Sequence, residues 1–274
     1  MATVVDVDDN LLEVPSTIDP KGDYASYRPF FDRLLRSAAA VTVATPALQQ
    51  LYARQSRQVV LMPNLLSRRL WGLPVNRQPA EPGRVAVLYM GTKTHDADLA
   101  MVMPAFAALA AGIPGLRLRV VGGFAAVRAD RPEWLEVVPL ENAVKGYPDF
   151  VPWLRGQVAP VDFAIAPLVD TPFNRWKSGL KFLDYAALGL SGLFSDLPEY
   201  RQMQKESGTG TLVRNPEDWL GALAKALDDV PALRAQGRKA REWVVATKLV
   251  PDQTGSGEDS DELAGADPGR IRRQ

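Results

Sequence analysis

DFAIAPLVDTPFNRWKSGLKFLDYAALG, residues 162–189, reads as a strand, a loop and a helix in succession. Asp162–Ala166 is a short apolar run ended by a proline, the pattern of a buried strand. From Lys177 to Leu188 the spacing is helical: Lys177, Lys181 and Asp184 share one stripe, with Leu180, Leu183 and Ala187 on the opposite, buried side. A strand passing through a loop into a helix is the building unit of a parallel α/β sheet. Ligands of such sheets sit beyond the carboxyl ends of the strands. The loop Pro167–Asn174 and the start of the helix are therefore predicted to line a binding crevice.

The same alternation continues on both sides. Strands are predicted at Val85–Tyr89, Leu116–Val121, Leu135–Val138 and Gly192–Ser195. Helices are predicted at Leu99–Ala111, Pro216–Asp228 and Pro231–Ala246, with Pro104 expected to kink or shorten the first. Earlier come a strand at Thr3–Val7, a helix at Arg28–Ala40, a strand at Val41–Ala44, a helix at Pro46–Arg54 and a strand at Val59–Met62. Thr45 and Pro46 supply the N-cap and first position of that second helix. QPAEPG (78–83) holds two prolines and a glycine and reads as a linker. The expected organisation is a partial N-terminal Rossmann-like unit at 1–78, a linker at 79–83, a complete Rossmann-like domain at 84–248 and a disordered tail at 249–274. The first unit is short for its class and reads as the back half of a domain.

Composition narrows the function. Lys plus Arg and Asp plus Glu both number 32, so no net charge draws the chain to nucleic acid. The absence of cysteine removes disulfides, thiol nucleophiles and thiolate metal sites. MATVVDVDDN does not read as a signal peptide, and the windows AFAALAAGI (105–113) and YAALGLSGLF (185–194) are too short to span a bilayer. A cytoplasmic protein is expected, with peripheral contact at the inner membrane face left open.

Three groups of residues carry candidate chemistry. On the predicted helix, Lys177 and Lys181 are like charges four apart, and with Arg175 they crowd the positive end of the helix dipole. A bound diphosphate, held by these cations and by backbone N–H groups, would account for them, with Asp184 accepting from ribose hydroxyls. A solvated basic face with a Lys181–Asp184 pair is the other reading, and spacing does not choose between them. RVAVLYMGTKTHDADL (84–99) is a strand, glycine turn and helix start, where Gly91 permits close backbone approach and Thr92 and Thr94 are potential phosphate donors. His95, the only histidine, reads without further context as a capping or packing residue. Asp96 and Asp98 are first-turn residues that complement the helix dipole. VVDVDDN (4–10) contains Asp6-Val7-Asp8, a DxD triplet. It is rejected as a metal site because no nucleotide-binding βαβ half precedes it. On one reading its carboxylates cap the next turn.

PLVDTPFNRWKSGLKFLDYAALGLSGLFSDLPEYR (167–201) resembles the donor-site segment of family 4 retaining glycosyltransferases, which have the GT-B fold. A subgroup of these reads, approximately, FNR-x-K-S-x-x-K-x-x-EYAALG-x-PVVAS. Phe173, Asn174, Arg175, Lys177, Ser178, Lys181, Tyr185 and Gly189 match it. YMGTKTHDADL (89–99) resembles the YxGTxTHDxDL segment of the same subgroup, VLMPNLLS (60–67) its strand and Pro-Asn turn, and NPEDWLGALAKALDD (215–229) a helix typical of the C-terminal domain. The similarity covers Val59–Val244. It implies transfer of a sugar from a UDP- or GDP-sugar, with retention of configuration, to a glycan, lipid or small-molecule acceptor, without a metal or other cofactor. Arg175, Lys177, Ser178 and Lys181 would then bind the diphosphate and Asp184 the ribose. Gly91, Thr92 and Thr94 would also contact the donor, and His95 and Lys181 would carry the catalytic roles. The resemblance also implies the other reading of the carboxylates in VVDVDDN (4–10), that they face a cleft. Two departures stand out: Asp184 replaces the usual Glu, and Ser191-Gly192 replaces Pro-Val. The alternative is a truncated or non-catalytic nucleotide-binding or interaction module of the same origin, its first unit covered by a partner chain or an oligomer.

Overall fold

The computed structural model describes residues 2–77, 81–122, 131–141 and 144–250. Part of the predicted linker, and the tail from residue 251 onward, lie outside the described residues.

The chain opens with Val4–Val7 (β1), Asp23–Ser37 (α1), Ala40–Val43 (β2), Pro46–Tyr52 (α2) and Val59–Leu61 (β3). These strands form a parallel sheet in the order β1-β2-β3. Thr45 caps α2 as predicted, its hydroxyl accepting from the Leu48 N–H at 3.1 Å. Helix α1 starts five residues before the predicted Arg28. Gly22 is the N-cap, and the Asp19 carboxylate accepts from the Asp23 and Ala25 N–H groups at 2.8 and 3.2 Å, satisfying donors of the first turn.

Leu66–Ser67 (β4) and Arg68–Trp71 (α3) connect to the second unit. It comprises Val85–Gly91 (β5), Asp96–Gly112 (α4), Leu116–Gly122 (β6), Leu135–Val138 (β7), Tyr147–Gln157 (α5), Phe163–Ala166 (β8), Leu180–Ala187 (α6), Gly192–Ser195 (β9), Pro198–Ser207 (α7), Thr211–Val213 (β10), Trp219–Asp228 (α8) and Val230–Thr247 (α9). Its six strands are parallel, in the order β10-β9-β8-β5-β6-β7. Alternation along each strand divides the core into two layers. Leu88, Met90, Ala164 and Ala166 join Leu154, Leu183 and Val244 on one face. Val87, Tyr89, Phe163 and Ile165 join Val102, Phe106 and Trp219 on the other.

Several predictions are corrected. Helix α4 runs through Pro104 from Asp96 to Gly112. Helices α5 and α7 and strand β10 fall in segments for which the sequence pattern predicts no element. Pro148 and Pro152 break the helical pattern of α5, and α7 buries only Tyr200, leaving little apolar period to detect. Leu249 and Val250, assigned to the tail, form a strand (β11) that pairs in parallel with β4. The chain thus returns to the connection between the two sheets.

The predicted helix Lys177–Leu188 begins three residues later, at Leu180. Asn174–Trp176 is a 3₁₀ turn, and Lys177 is extended, with φ −64° and ψ 144°. Two contacts with the first unit fall within 176–178. The Thr45 hydroxyl donates to the Trp176 carbonyl at 3.2 Å, and the Asn64 amide donates to the Ser178 hydroxyl at 2.8 Å. Gly179 then caps α6 beneath Met203, whose sulfur would lie 2.6 Å from any Cβ at that position.

Candidate functional site

A cleft of about 320 Å³ opens at the carboxyl ends of β5, β6 and β8, facing the end of β1. It sits at the small end of the ~300–1,000 Å³ usual for ligand pockets. Gly91, Thr92 and His95 follow from β5, Gly122 ends β6 and Leu168 follows β8. Lys177, Ser178, Lys181 and Asp184 form the wall leading into α6, and Asp8 and Asp9 line the side belonging to the first unit.

The cationic wall is built by two elements, not by one helical stripe. Because Lys177 precedes α6, the like-charge argument from four-residue spacing does not apply. The two lysines converge on the cleft through tertiary placement. Lys177 Nζ stands 4.9 Å above the Phe173 ring and donates to both Asp9 carboxylate oxygens at 3.3 and 3.4 Å. Lys181 Nζ lies 5.4 Å from the Tyr89 ring centroid. Burial, with the charge of Lys177 nearby, pulls the Lys181 ammonium down to about 8 despite Asp98 and Asp184. An anion in the cleft would reverse that shift. No side chain caps the start of α6, so its first N–H groups offer a dipole end to an anion.

Asp184 is buried, and burial raises its carboxyl to about 7 against the opposing effects of Tyr147 and Lys181. The Tyr147 hydroxyl is 3.2 Å from Asp184 Oδ1, and the Trp71 indole N–H donates to that hydroxyl at 3.1 Å. Across the cleft Asp9 is raised as well, by burial, with Lys177 opposing.

The glycine floor depends on two strands. Gly91 pairs in register with Gly122. Gly122 has φ +101°, and a Cβ there would meet the Gly91 carbonyl oxygen at 2.3 Å, so only glycine fits. Beside this floor His95 Nδ1 lies 2.7 Å from Asp98 Oδ2, while Asp98 Oδ1 accepts from the Val169 N–H at 2.7 Å. Burial lowers the His95 imidazole, opposed first by the Asp98 hydrogen bond, with Lys181 and Lys177 adding to the lowering. A neutral ring donating from Nδ1 to Asp98 keeps Nε2 as an acceptor. Asp96 and Asp98 do occupy the first turn of α4, and Asp98 also orients the histidine.

Of the candidate residues, Gly91, Thr92, His95, Lys177, Ser178, Lys181 and Asp184 all line the cleft. Thr94 and Arg175 do not. The Thr94 hydroxyl pairs with that of Thr92 at 2.8 Å, and Arg175 forms an exposed, two-pronged ion pair with Asp170 at 2.6 and 2.8 Å. For the acidic run, Asp8 and Asp9 face the cleft, while Asp6 bonds the Thr42 hydroxyl on the adjacent strand. Sequence reasoning missed Gly122, Tyr147 and Tyr200. Gly122, just past a predicted strand, carried a readable signal; the two tyrosines did not. Among the described residues, no group of three or more His, Asp or Glu side chains could hold a metal ion, and no helix is long and apolar enough to cross a membrane.

No protein-family model matches the chain, and no curated protein sequence does. Solved structures show that its architecture is that of GT-B glycosyltransferases. WaaG, a glycosyltransferase involved in lipopolysaccharide biosynthesis, superposes with TM-score 0.65 at 15% identity, covering 91% of this chain and 72% of WaaG. Sucrose-phosphate synthase from Thermosynechococcus elongatus gives 0.61 at 19%, covering 90% and 63%. Anabaena HepE in complex with UDP-glucose gives 0.62 at 10%, covering 90% and 68%. The chain spans less than two thirds of the length of the synthase, and 47% of another match, TarM.

Proposed function

We propose that this chain is a retaining glycosyltransferase of the family 4 type, transferring a sugar from a UDP- or GDP-sugar to an acceptor held on the first-unit side of the cleft. The observation that carries the reading is the meeting of Lys177, Ser178, Lys181 and Asp184 with Gly91, Thr92 and His95 in one cleft at the strand ends. In this reading Lys177, Lys181 and the open start of α6 bind the diphosphate. Their charge offsets the negative charge that accumulates on the leaving group, the usual largest contribution to such a transfer. The buried Asp184 accepts from a ribose hydroxyl. The glycine floor lets the phosphate–sugar junction approach the backbone of β5 and β6, and His95 offers Nε2 to the sugar. Asp8 and Asp9 present carboxylates to the acceptor. HepE, which shares the fold, has been crystallised with UDP and with UDP-glucose, which supports a nucleotide-sugar donor here.

The test is donor binding by a Lys181→Ala variant. Loss of a charged hydrogen bond should weaken UDP or GDP by about 1.5–3 kcal/mol, on the order of 10–100-fold. Unchanged titration calorimetry for both nucleotides would remove the assignment. NMR of the transferred anomeric centre then tests retention.

A second reading is a nucleotide-binding module without turnover. It is favoured by the modest acceptor-side wall, a sheet of three described strands against six on the donor side. Binding of UDP with neither transfer nor donor hydrolysis would select it.

A further inference from the structure

The buried carboxylate of the cleft is held by a hydrogen-bond chain of fixed direction that draws on three elements. Trp71 on α3 is almost wholly buried, and its indole N–H is 3.1 Å from the Tyr147 hydroxyl at the start of α5. An indole nitrogen can only donate. The Tyr147 oxygen therefore accepts from Trp71, and its own hydrogen is left for Asp184 Oδ1, 3.2 Å away on α6. The rings of Trp71 and Tyr147 also pack, with centroids 6.5 Å apart. Asp184 Oδ1 is thus occupied. Among the described residues no hydrogen bond reaches Oδ2, and the residue lines the cleft.

We infer that Tyr147 is a positioning residue that commits one oxygen of Asp184 to the protein, so that the carboxylate offers a single acceptor to a ribose hydroxyl and discriminates ribonucleoside from deoxyribonucleoside diphosphates. The inference rests on the reading of Asp184 as the ribose ligand. Without the Tyr147 hydrogen, the short Asp184 side chain is free to turn either oxygen inward. It also loses the hydrogen bond that most strongly opposes the protonation favoured by burial. Two consequences follow together: the fixed geometry of the acceptor is lost, and ionisation moves to higher pH.

The experiment measures UDP, 2′-deoxy-UDP and 3′-deoxy-UDP binding to the full chain by calorimetry from pH 6 to pH 8.5, for the native protein and the variants Tyr147→Phe, Trp71→Phe and Asp184→Asn. The native protein is expected to bind UDP about 10-fold or more tighter than one of the deoxy forms, as for a hydrogen bond to a charged group. Tyr147→Phe should reduce that ratio to about 2-fold and shift the acid limb of the UDP affinity profile upward in pH. Trp71→Phe should shift both in the same direction by less, since the tyrosine hydroxyl remains. A purely structural role for Tyr147 would lower affinity for all three nucleotides alike, leaving ratio and pH limb unchanged, and that result overturns the inference. A native protein that binds UDP and both deoxy forms equally, with Asp184→Asn no different, overturns the ribose reading itself. Discrimination lost in Asp184→Asn but intact in Tyr147→Phe leaves the ribose reading standing and overturns this one.

Discussion

The two sheets of this chain are built alike and finished differently. The six-stranded sheet is packed on both faces, and its strands β8 and β9 are buried along their whole length. The three-stranded sheet rests on one small cluster around Leu35, Val41, Val43, Leu48 and Tyr52. Its helix α1 buries only Leu35 and leaves Tyr24, Tyr27 and Phe30 exposed by 48%, 67% and 69%. On the proposed function the difference separates two jobs. Lys181, Asp184 and His95, which would hold the donor in a fixed geometry, lie on elements joined to the larger, closely packed sheet, and close packing restricts side-chain freedom. The thinner sheet supplies one close charge contact to that cleft, Asp9 on Lys177, from a flank with much less surrounding structure.

Breaking each region should show this asymmetry most strongly. Phe182 stacks on Phe194 with centroids 4.5 Å apart, directly behind the cleft wall. Phe182→Ala should cost about 3–5 kcal/mol in denaturant unfolding, the usual range for emptying a buried aromatic site. It should abolish nucleotide binding as well. Phe30→Ala, removing an equally large ring from α1, should stay within about 0.5 kcal/mol, as surface changes do. Equal losses from the two variants would erase the contrast.

Next in size are the pH effects confined to the donor side. Asp184 titrates near 7 in the folded chain and near 3.8 when unfolded. Between those values the folded state binds more protons, so stability falls as pH rises from about 4 to about 7. Asp184→Asn should flatten that decline, read as unfolding midpoint against pH. Lys181, near 8 when folded and 10.5 unfolded, has the opposite sign, its share of stability rising from about pH 8 to pH 10.5. UDP affinity should weaken above pH 8, because binding there requires proton uptake by Lys181. Calorimetry in buffers of differing ionisation enthalpy would detect that proton, and a buffer-independent enthalpy would refute its uptake.

The smallest effect lies where the two regions touch. Lys177 and Asp9 are 3.3 Å apart and partly exposed, a pair worth about 0.2–1 kcal/mol by analogy with exposed pairs. Asp9→Asn should release Lys177 and tighten UDP binding by about 1.5–5-fold, within that energy. Weaker binding instead would show that Asp9 takes part in holding the donor.

Much of this was legible before any coordinate. The α/β alternation, five of the six strands of the larger sheet and the Thr45 cap follow from local patterns, because strand period, proline and capping chemistry act over a few residues. The lysines, the glycine turn and the lone histidine were identifiable as candidates because their chemistry, and their likeness to a donor-site segment, reside in residue type and spacing. By residue type and spacing Arg175 and Thr94 are equally eligible. In the folded chain neither lines the cleft; Arg175 pairs with Asp170 and the Thr94 hydroxyl with that of Thr92, placements that spacing does not encode.

The sequence alone determined the class of the fold and the segment that lines the cleft, since hydrophobic period, turn chemistry and residue spacing are properties of neighbouring residues. Tertiary structure decided how that segment is used. Lys177 leaves the helix because Thr45 and Asn64, 131 and 114 residues away in the chain, bond to Trp176 and Ser178. Asp184 becomes a buried, perturbed acceptor because Trp71 and Tyr147 arrive from two other elements. Burial, charge proximity and hydrogen-bond direction depend on positions in space, and those exist only once distant parts of the chain have packed together.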